Sequence, residues 1–488
     1  MMPESQHYDL IVIGAGQGGG PLAGAFARAG RRVALVERVH VGGTCINEGC
    51  SPTKTIIASA RVAHLVHRAR DYGVETGAPA GAVSVDLSRV HQRKQHIVDS
   101  FREGGERALA SAGVELVRGQ ARFVGPRALE VAAPSGANGH AAEAREVRIL
   151  SATTVVINTG LRAAVPPLPG LDRVPHLTST SIMELTEPPA HLIVLGGGYV
   201  GLEFAQAYRR FGSRVTIVQR DRQLLPREDD DVADAVTGIL QDDGIEVRCS
   251  AEAVRVEPHD DGVRLVWRER TRDDADLSGG DAQGEIVGSH LLIATGRTPN
   301  TEDLGLQAAA VEADPRGYVR VNDRLETSAP GVYAIGDVKG GPAFTHISYD
   351  DFRILRTNLL EGGTATTQGR QVPYTVFIDP QLGAIGPTER EVRASGRRIR
   401  VARLPMTSVA RALEVDETRG FMKAIVDAES GQILGARVLG LEGGEIAALF
   451  QIAMLGRLPY PALRDATFSH PTIAEALNNL FTAMERDG

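Results

Sequence analysis

The stretch Gly42-Gly43-Thr44-Cys45-Ile46-Asn47-Glu48-Gly49-Cys50 places two cysteines five residues apart, and cysteine is scarce elsewhere: the chain has three. That number is no disulfide framework, so the pairing points to redox or metal chemistry rather than to stapling. Five residues of straight helix rise about 7.5 Å. A disulfide asks for Cα atoms roughly 4.4–6.8 Å apart. A regular helix therefore cannot close this pair, whereas a distorted turn can, and Gly49 supplies the freedom for one. Pro52 suits the first turn of a helix that follows. Cys50 then lies by a helix N-terminus, which favours its thiolate. Metal binding would need further ligands close by in sequence, and none stands there. Cys249, in the strand-like Ile245 to Cys249, has no sequence partner and reads as structural.

A second candidate is His470-Pro471-Thr472-Ile473-Ala474-Glu475, a histidine just before a helix with a carboxylate in its first turns. A lone histidine is usually structural. One that a carboxylate can orient is a better general acid or base.

Two glycine motifs must serve these groups. Gly14-Ala15-Gly16-Gln17-Gly18-Gly19 fits G-x-G-x-x-G, with the apolar run Tyr8 to Ile13 before it and a helix from Pro21 to Gly30 after it. Gly14 and Gly16 allow a tight turn and close approach to a pyrophosphate, and Gly19 allows close helix–strand packing. Glu37 ends the next strand, 23 residues beyond Gly14, where an acid can hold ribose hydroxyls. Gly196-Gly197-Gly198-Tyr199-Val200-Gly201 repeats the pattern between the strand His191 to Leu195 and the helix Leu202 to Phe211. Here the position 23 residues on is Gln219, followed by Arg220 and Arg222. Loss of the acid and gain of arginines suits a ribose 2′-phosphate and so leans toward NADPH. The alternative is a solvated arginine cluster.

Around these motifs the chain of 488 residues is 42% hydrophobic, too long for one core. Two βαβ beginnings imply two nucleotide-binding domains. Helices are expected over 53–69 and 87–112, strands over 118–157 with turns at Gly125-Pro126 and Ser135-Gly136, and a surface hairpin loop over 270–284. The segment 372–481 reads as a third, α+β domain. A net charge of −8 lacks the basic face that nucleic acid needs. No apolar run reaches membrane-spanning length, and no secretory signal pattern opens the chain, so a cytoplasmic location is expected.

Taken together, Gly-Gly-Thr-Cys-x4-Cys-x-Pro-x-Lys, His-Pro-Thr-x-x-Glu and two dinucleotide motifs resemble the pyridine nucleotide–disulfide oxidoreductases, the group of glutathione reductase, lipoamide dehydrogenase and mercuric reductase. The likeness runs from about Tyr8 to Phe481. It implies an α/β fold with two Rossmann-like domains and a C-terminal α+β dimerisation domain: an FAD-binding domain over 1–165 and 290–368, an NAD(P)H-binding domain over 166–289, and an interface domain over 369–488. It implies FAD, with NADPH or NADH, and a homodimer. By the same resemblance Cys50 would be the thiolate against the flavin and Cys45 the thiol that meets substrate. Lys54 would stand beside the flavin, paired with Glu203. Tyr199 would gate the nicotinamide pocket, and Asp337, in Ala334-Ile335-Gly336-Asp337, would bind the ribityl chain. Gly43, Thr44, Gly160, Gly198, Gly296 and Gly336 would line the cofactor sites. His470, oriented by Glu475, would come from the partner subunit and protonate a leaving thiol.

The acceptor is a small disulfide or a metal ion. The chain ends Met484-Glu485-Arg486-Asp487-Gly488, without the cysteine pair usual in mercuric reductases, and it has His470 and Glu475, which they typically lack. Phe344 to Arg353 and Leu458-Pro459-Tyr460 look like the reactive-chlorine-resistance branch, associated with NAD(P)H-driven copper(II) reduction in oxidative defence. A dihydrolipoamide dehydrogenase, a mercuric reductase and a flavin-based redox sensor are the competing readings.

Overall fold

The computed structural model describes residues 6–77, 84–133, 147–260, 262–270 and 284–486. The expected turn at Ser135-Gly136 and almost all of the expected hairpin loop over 270–284 lie outside these residues.

The chain divides into two compact units, and each takes in separate stretches of sequence. The first comprises 1–55, 92–164 and 296–370. Its sheet is built on Gln6–Ile13, which lies parallel between Val33–Glu37 and Val147–Ile157. Glu115–Arg118 extends one edge in parallel. Val147–Ile157 is long enough to serve two partners on its other edge. Its first residues pair antiparallel with Ala128–Ala132, and its last three pair parallel with Val332–Ala334. The central strand is apolar and buried from Leu10 to Ile13, where both its faces are covered. Ile11 and Ile13 enter one core with Val155 and Ile157, while Leu10 and Val12 enter another with Leu22 and Phe26 of the helix Gly19–Arg28.

The second unit comprises 56–91, 165–295 and 371–488. It holds a four-stranded parallel sheet in the order Glu246–Arg248, Arg214–Val218, His191–Leu195, His290–Ile293. The same alternation recurs, with Leu192 and Val194 in one core and Ile193 and Leu195 in another. A three-stranded antiparallel sheet follows, and a five-stranded antiparallel sheet runs from Tyr374–Val376 to Ile399–Pro405 with Gly443–Leu455 packed on it.

Two buried cations of this unit are matched by acids. Lys423 is 2% exposed and meets Asp229 at 3.1 Å, Asp231 at 3.0 Å and Glu389 at 2.8 Å. Arg437 meets Glu228 at 2.6 Å, both almost fully buried. Such pairs offset the heavy desolvation cost of each ion, and removing one partner leaves the other stranded.

His64 is not matched. Its Nε2 is buried without a hydrogen-bond partner among the described residues. Burial first, then the Arg210 cation, pushes its pKa down to about 4, against the pull of Asp243 and Asp379. The unfolded chain therefore binds more protons than the folded one between about pH 6.5 and 4, and stability falls as pH drops through that window. Replacing His64 by Gln is expected to flatten this acid sensitivity. Urea midpoints of both proteins near neutrality and near pH 4.5 check it, and equally steep acid loss in the two would place the sensitivity elsewhere.

Candidate redox-active site

The two cysteines sit at a helix break. One short helix, Gly43–Asn47, carries Cys45, and the next, Cys50–His67, begins at Cys50. The sequence expectation began this second helix at position 53. It starts three residues earlier, so the cysteine itself occupies the first turn. Between them Glu48 leaves helical geometry at φ −143°, and Gly49 passes so close to Thr44 that a Cβ there would lie 2.9 Å from its carbonyl oxygen. The break brings the side chains together, and the Cys45 thiol hydrogen-bonds to Cys50. Cys50 Sγ is also 3.4 Å from Thr345 Oγ1. The Cys45 pKa is driven far up, first by that hydrogen bond, then by burial and by the charge of Cys50; Thr345 and Lys54 pull the other way. In a pair of this kind the proton stays on Cys45.

The first glycine loop lies against the same segment. Gly14 holds φ +102°, and a Cβ on it would meet the Asn158 carbonyl oxygen at 2.4 Å. A Cβ on Gly19 would meet the Gly14 carbonyl oxygen at 2.4 Å, so the helix can approach the strand only without one. Gly43 packs directly on Gly16, its own Cβ position 2.7 Å from the Gly16 Cα. Thr44 donates to the Leu161 carbonyl at 3.4 Å, and the Gly160 carbonyl accepts from Asn300. Glu37 accepts from the Ala15 N–H at 2.9 Å and the Val39 N–H at 2.8 Å. This cradle fits a dinucleotide: bare backbone at a helix N-terminus, an acid at the neighbouring strand end, and beside them the Thr159 hydroxyl, buried without a partner among the described residues. Asp337 stands in the short turn Gly336–Lys339; burial raises its pKa, with Arg297 and Lys339 opposing. The Gly296 carbonyl accepts from Ala164, joining that loop to the same unit.

Three residues of this site carry no motif. Asn158 donates to the Gly14 carbonyl at 2.9 Å. Asp351, fully buried, accepts from the Gly336 N–H at 2.8 Å and pairs with Lys339 at 3.3 Å and Arg370 at 2.8 Å, which fixes the turn bearing Asp337. Thr345 touches the cysteines. Asp351 and Thr345 fall within the stretch 344–353 that carries the branch resemblance, the one sequence signal that could have marked them.

In the second unit Gly196 holds φ +113°, and a Cβ on Gly201 would meet the Gly196 carbonyl oxygen at 2.2 Å. Gly198 caps the helix Tyr199–Arg210, whose first residue, Tyr199, is exposed. Gln219 takes the place of Glu37: its Oε1 accepts from the Gly197 N–H at 2.9 Å, and its Nε2 donates to Asp221 at 3.1 Å. Arg220 and Arg222 are exposed and each faces an acid, Asp221 at 3.8 Å and Asp230. Glu203 is 3% exposed and accepts from the Phe377 N–H at 2.9 Å. Lys54 belongs to the first unit, in the same helix turn as Cys50. His470 and Glu475 are joined, with Nδ1 2.9 Å from Oε2 and 3.1 Å from Oε1, and the histidine side chain is 70% exposed. Among the described residues no cluster of three or more His, Cys, Asp or Glu could hold a metal ion, and no helix is long and apolar enough to cross a membrane.

Two glycine loops that fit dinucleotides and two neighbouring cysteines are what a flavoprotein disulfide oxidoreductase requires. The chain belongs to the pyridine nucleotide-disulphide oxidoreductase family, whose model matches residues 8–351, and the family's dimerisation domain matches residues 372–481. Members bind FAD and NAD(P)H, and the residues described above fit both. The chain is 38% identical to Probable pyridine nucleotide-disulfide oxidoreductase RclA of Escherichia coli K12, over 98% of this chain and 99% of that one. It is 35% identical to a dihydrolipoyl dehydrogenase of Thermus scotoductus, over 98% of each. It is 34% identical to a mercuric reductase of Streptomyces lividans, over 98% and 96%. The solved Cu(II) complex of the HOCl-induced flavoprotein disulfide reductase RclA from E. coli superposes with a TM-score of 0.85 at 37% identity, covering 98% of this chain and 99% of that one.

Replacing Gly19 by Val is expected to overpack the strand–helix contact by about 1–3 kcal/mol and to cost the chain most of its bound flavin. Flavin absorbance per folded chain after gel filtration measures this; full flavin content in the variant would remove Gly19 from the cradle.

Proposed function

We propose that this protein is an NAD(P)H-dependent flavoprotein reductase whose Cys45–Cys50 couple passes electrons to a metal ion of the copper(II) type, as a homodimer in oxidative or metal stress defence. The observation that carries the reading is the couple itself, two sulfurs in hydrogen-bond contact at the start of a helix. A chain aligned end to end with a flavoprotein solved as a Cu(II) complex supports the acceptor. The homodimer draws support from the dimerisation domain and from an open groove of about 1070 Å³ in the second unit, bordered by the exposed Val62, Leu65 and Tyr72 and reaching Pro471 to Ala474, next to His470.

Bound FAD supplies two-electron transfer between the nicotinamide and the disulfide. The protein's part is to place and protonate. In this reading Gly14, Gly16, Gly19 and the N-terminus of Gly19–Arg28 face a pyrophosphate, Glu37 its ribose, and Asp337 the chain between ribose and ring. Gly196, Gly198 and Gly201 face the nicotinamide dinucleotide, with Tyr199 over the nicotinamide end. Arg220 and Arg222 read a 2′-phosphate, which must displace Asp221 and Asp230 to do so. Reduction of the disulfide by two electrons and one proton leaves Cys45 as thiol and Cys50 as thiolate. Two copper(II) ions would then take one electron each, and the couple would return to disulfide with release of the Cys45 proton.

The His470–Glu475 pair favours a second reading, a dihydrolipoyl dehydrogenase or other disulfide reductase, because a leaving thiolate needs a proton and an oriented imidazole can give it. Anaerobic NAD(P)H oxidation with copper(II), mercury(II), glutathione disulfide and lipoamide side by side separates the two. Fast copper(II) turnover with slow disulfide turnover is expected; fast lipoamide turnover would move the protein to the second reading. Cys45→Ser should abolish acceptor reduction while NAD(P)H still reduces the flavin in stopped flow, and retained turnover would exclude Cys45. His470→Ala should slow any disulfide turnover by roughly 10²–10⁴-fold and spare copper(II) turnover. Equal loss on both acceptors would make the histidine structural.

A further inference from the structure

Thr345 lies 295 positions from Cys50, yet its hydroxyl is 3.4 Å from the Cys50 sulfur. It opens the helix Thr345–Leu360, behind Phe344 in extended geometry at φ −132°, ψ 147°. The Ile347 and Ser348 N–H groups close on the Phe344 carbonyl, which fixes the first turn and with it the threonine. The rings of its sequence neighbours Phe344 and His346 stack on each other with centroids 5.3 Å apart. The hydroxyl is thus held by backbone and cannot be replaced by a drifting side chain.

A hydroxyl has one hydrogen to give and can accept others. Placed against the Cys50 sulfur, it can give that hydrogen to one member of the pair, so it treats the two unequally. A sulfur bearing charge gains most from that donation, because hydrogen bonds to ionised groups are the stronger kind. Cys50, first residue of its own helix, is the sulfur already favoured for the charge.

We propose that Thr345 is a positioning residue of the dithiol: its hydroxyl donates to the Cys50 thiolate, leaves the remaining proton on Cys45, and so stabilises the reduced couple. This rests on the reading of Cys45 and Cys50 as the redox couple. Stabilising the reduced form makes a couple more oxidising. Loss of the hydroxyl therefore shifts the couple toward disulfide.

The test is a redox titration of the holoenzyme without nicotinamide in glutathione buffers. Thiols are trapped with iodoacetamide and assigned by peptide mass spectrometry. Thr345→Val keeps the shape and removes the hydroxyl. It is expected to shift the dithiol–disulfide equilibrium about tenfold toward disulfide, about 30 mV for a two-electron couple. Thr345→Ser restores the hydroxyl and should restore the equilibrium; if the valine variant fails to keep its flavin, Thr345→Ala compared with Thr345→Ser carries the same contrast. An unchanged equilibrium on loss of the hydroxyl, or a shift that serine does not reverse, overturns the role of Thr345. If the unaltered holoenzyme shows no paired loss of the Cys45 and Cys50 thiols on oxidation, the proposed function itself fails, which is a separate outcome.

Discussion

Two sulfurs five residues apart must leave the helical path to meet, and the first unit is organised around the place where the chain does so. The break at Glu48 and Gly49 lets one short helix end with Cys45 in it and a long helix start at Cys50. The break is affordable because its surroundings are held from both sides. Gly43 is packed on Gly16, and Asn47 donates to the carbonyls of Gly43 and Val41 at 2.8 and 3.2 Å. The glycine loop and the cysteine loop therefore share one wall, and whatever lies on the first lies next to the second.

The two glycine loops solve the same steric problem with different electrostatics. In each, a strand end offers a side-chain oxygen to the N–H of the residue after the first glycine, at 2.9 Å. In the first loop the acceptor is the carboxylate of Glu37. In the second it is the neutral amide of Gln219, whose own N–H groups hold Asp221. The amide keeps the loop's geometry and moves the negative charge two residues on, among arginines. The backbone architecture is thus indifferent to the charge at this position.

The sequence was most legible where chemistry depends on neighbours along the chain. Gly14, Gly19, Gly196 and Gly201 are spaced by the turn and the helix they permit, so a motif of six residues carries their reason. The same holds for His470 and Glu475, five residues apart and in contact. The start of the Cys50–His67 helix was placed late, because Pro52 marks a first turn but does not say which residue opens it. Asn158, Asp351 and Thr345 were not assigned roles, since each acts on a partner 15 to 295 positions away, and no local pattern encodes such a distance.

By itself the sequence determined the family and its class of chemistry, through two cysteines that only a broken helix can bring together and two glycine motifs of bare backbone. Those follow from steric rules acting over a few residues. Tertiary structure alone decided what surrounds the couple. Burial of Cys45 and the Thr345 hydroxyl beside Cys50 arise only once distant parts of the chain have been brought within a few ångströms.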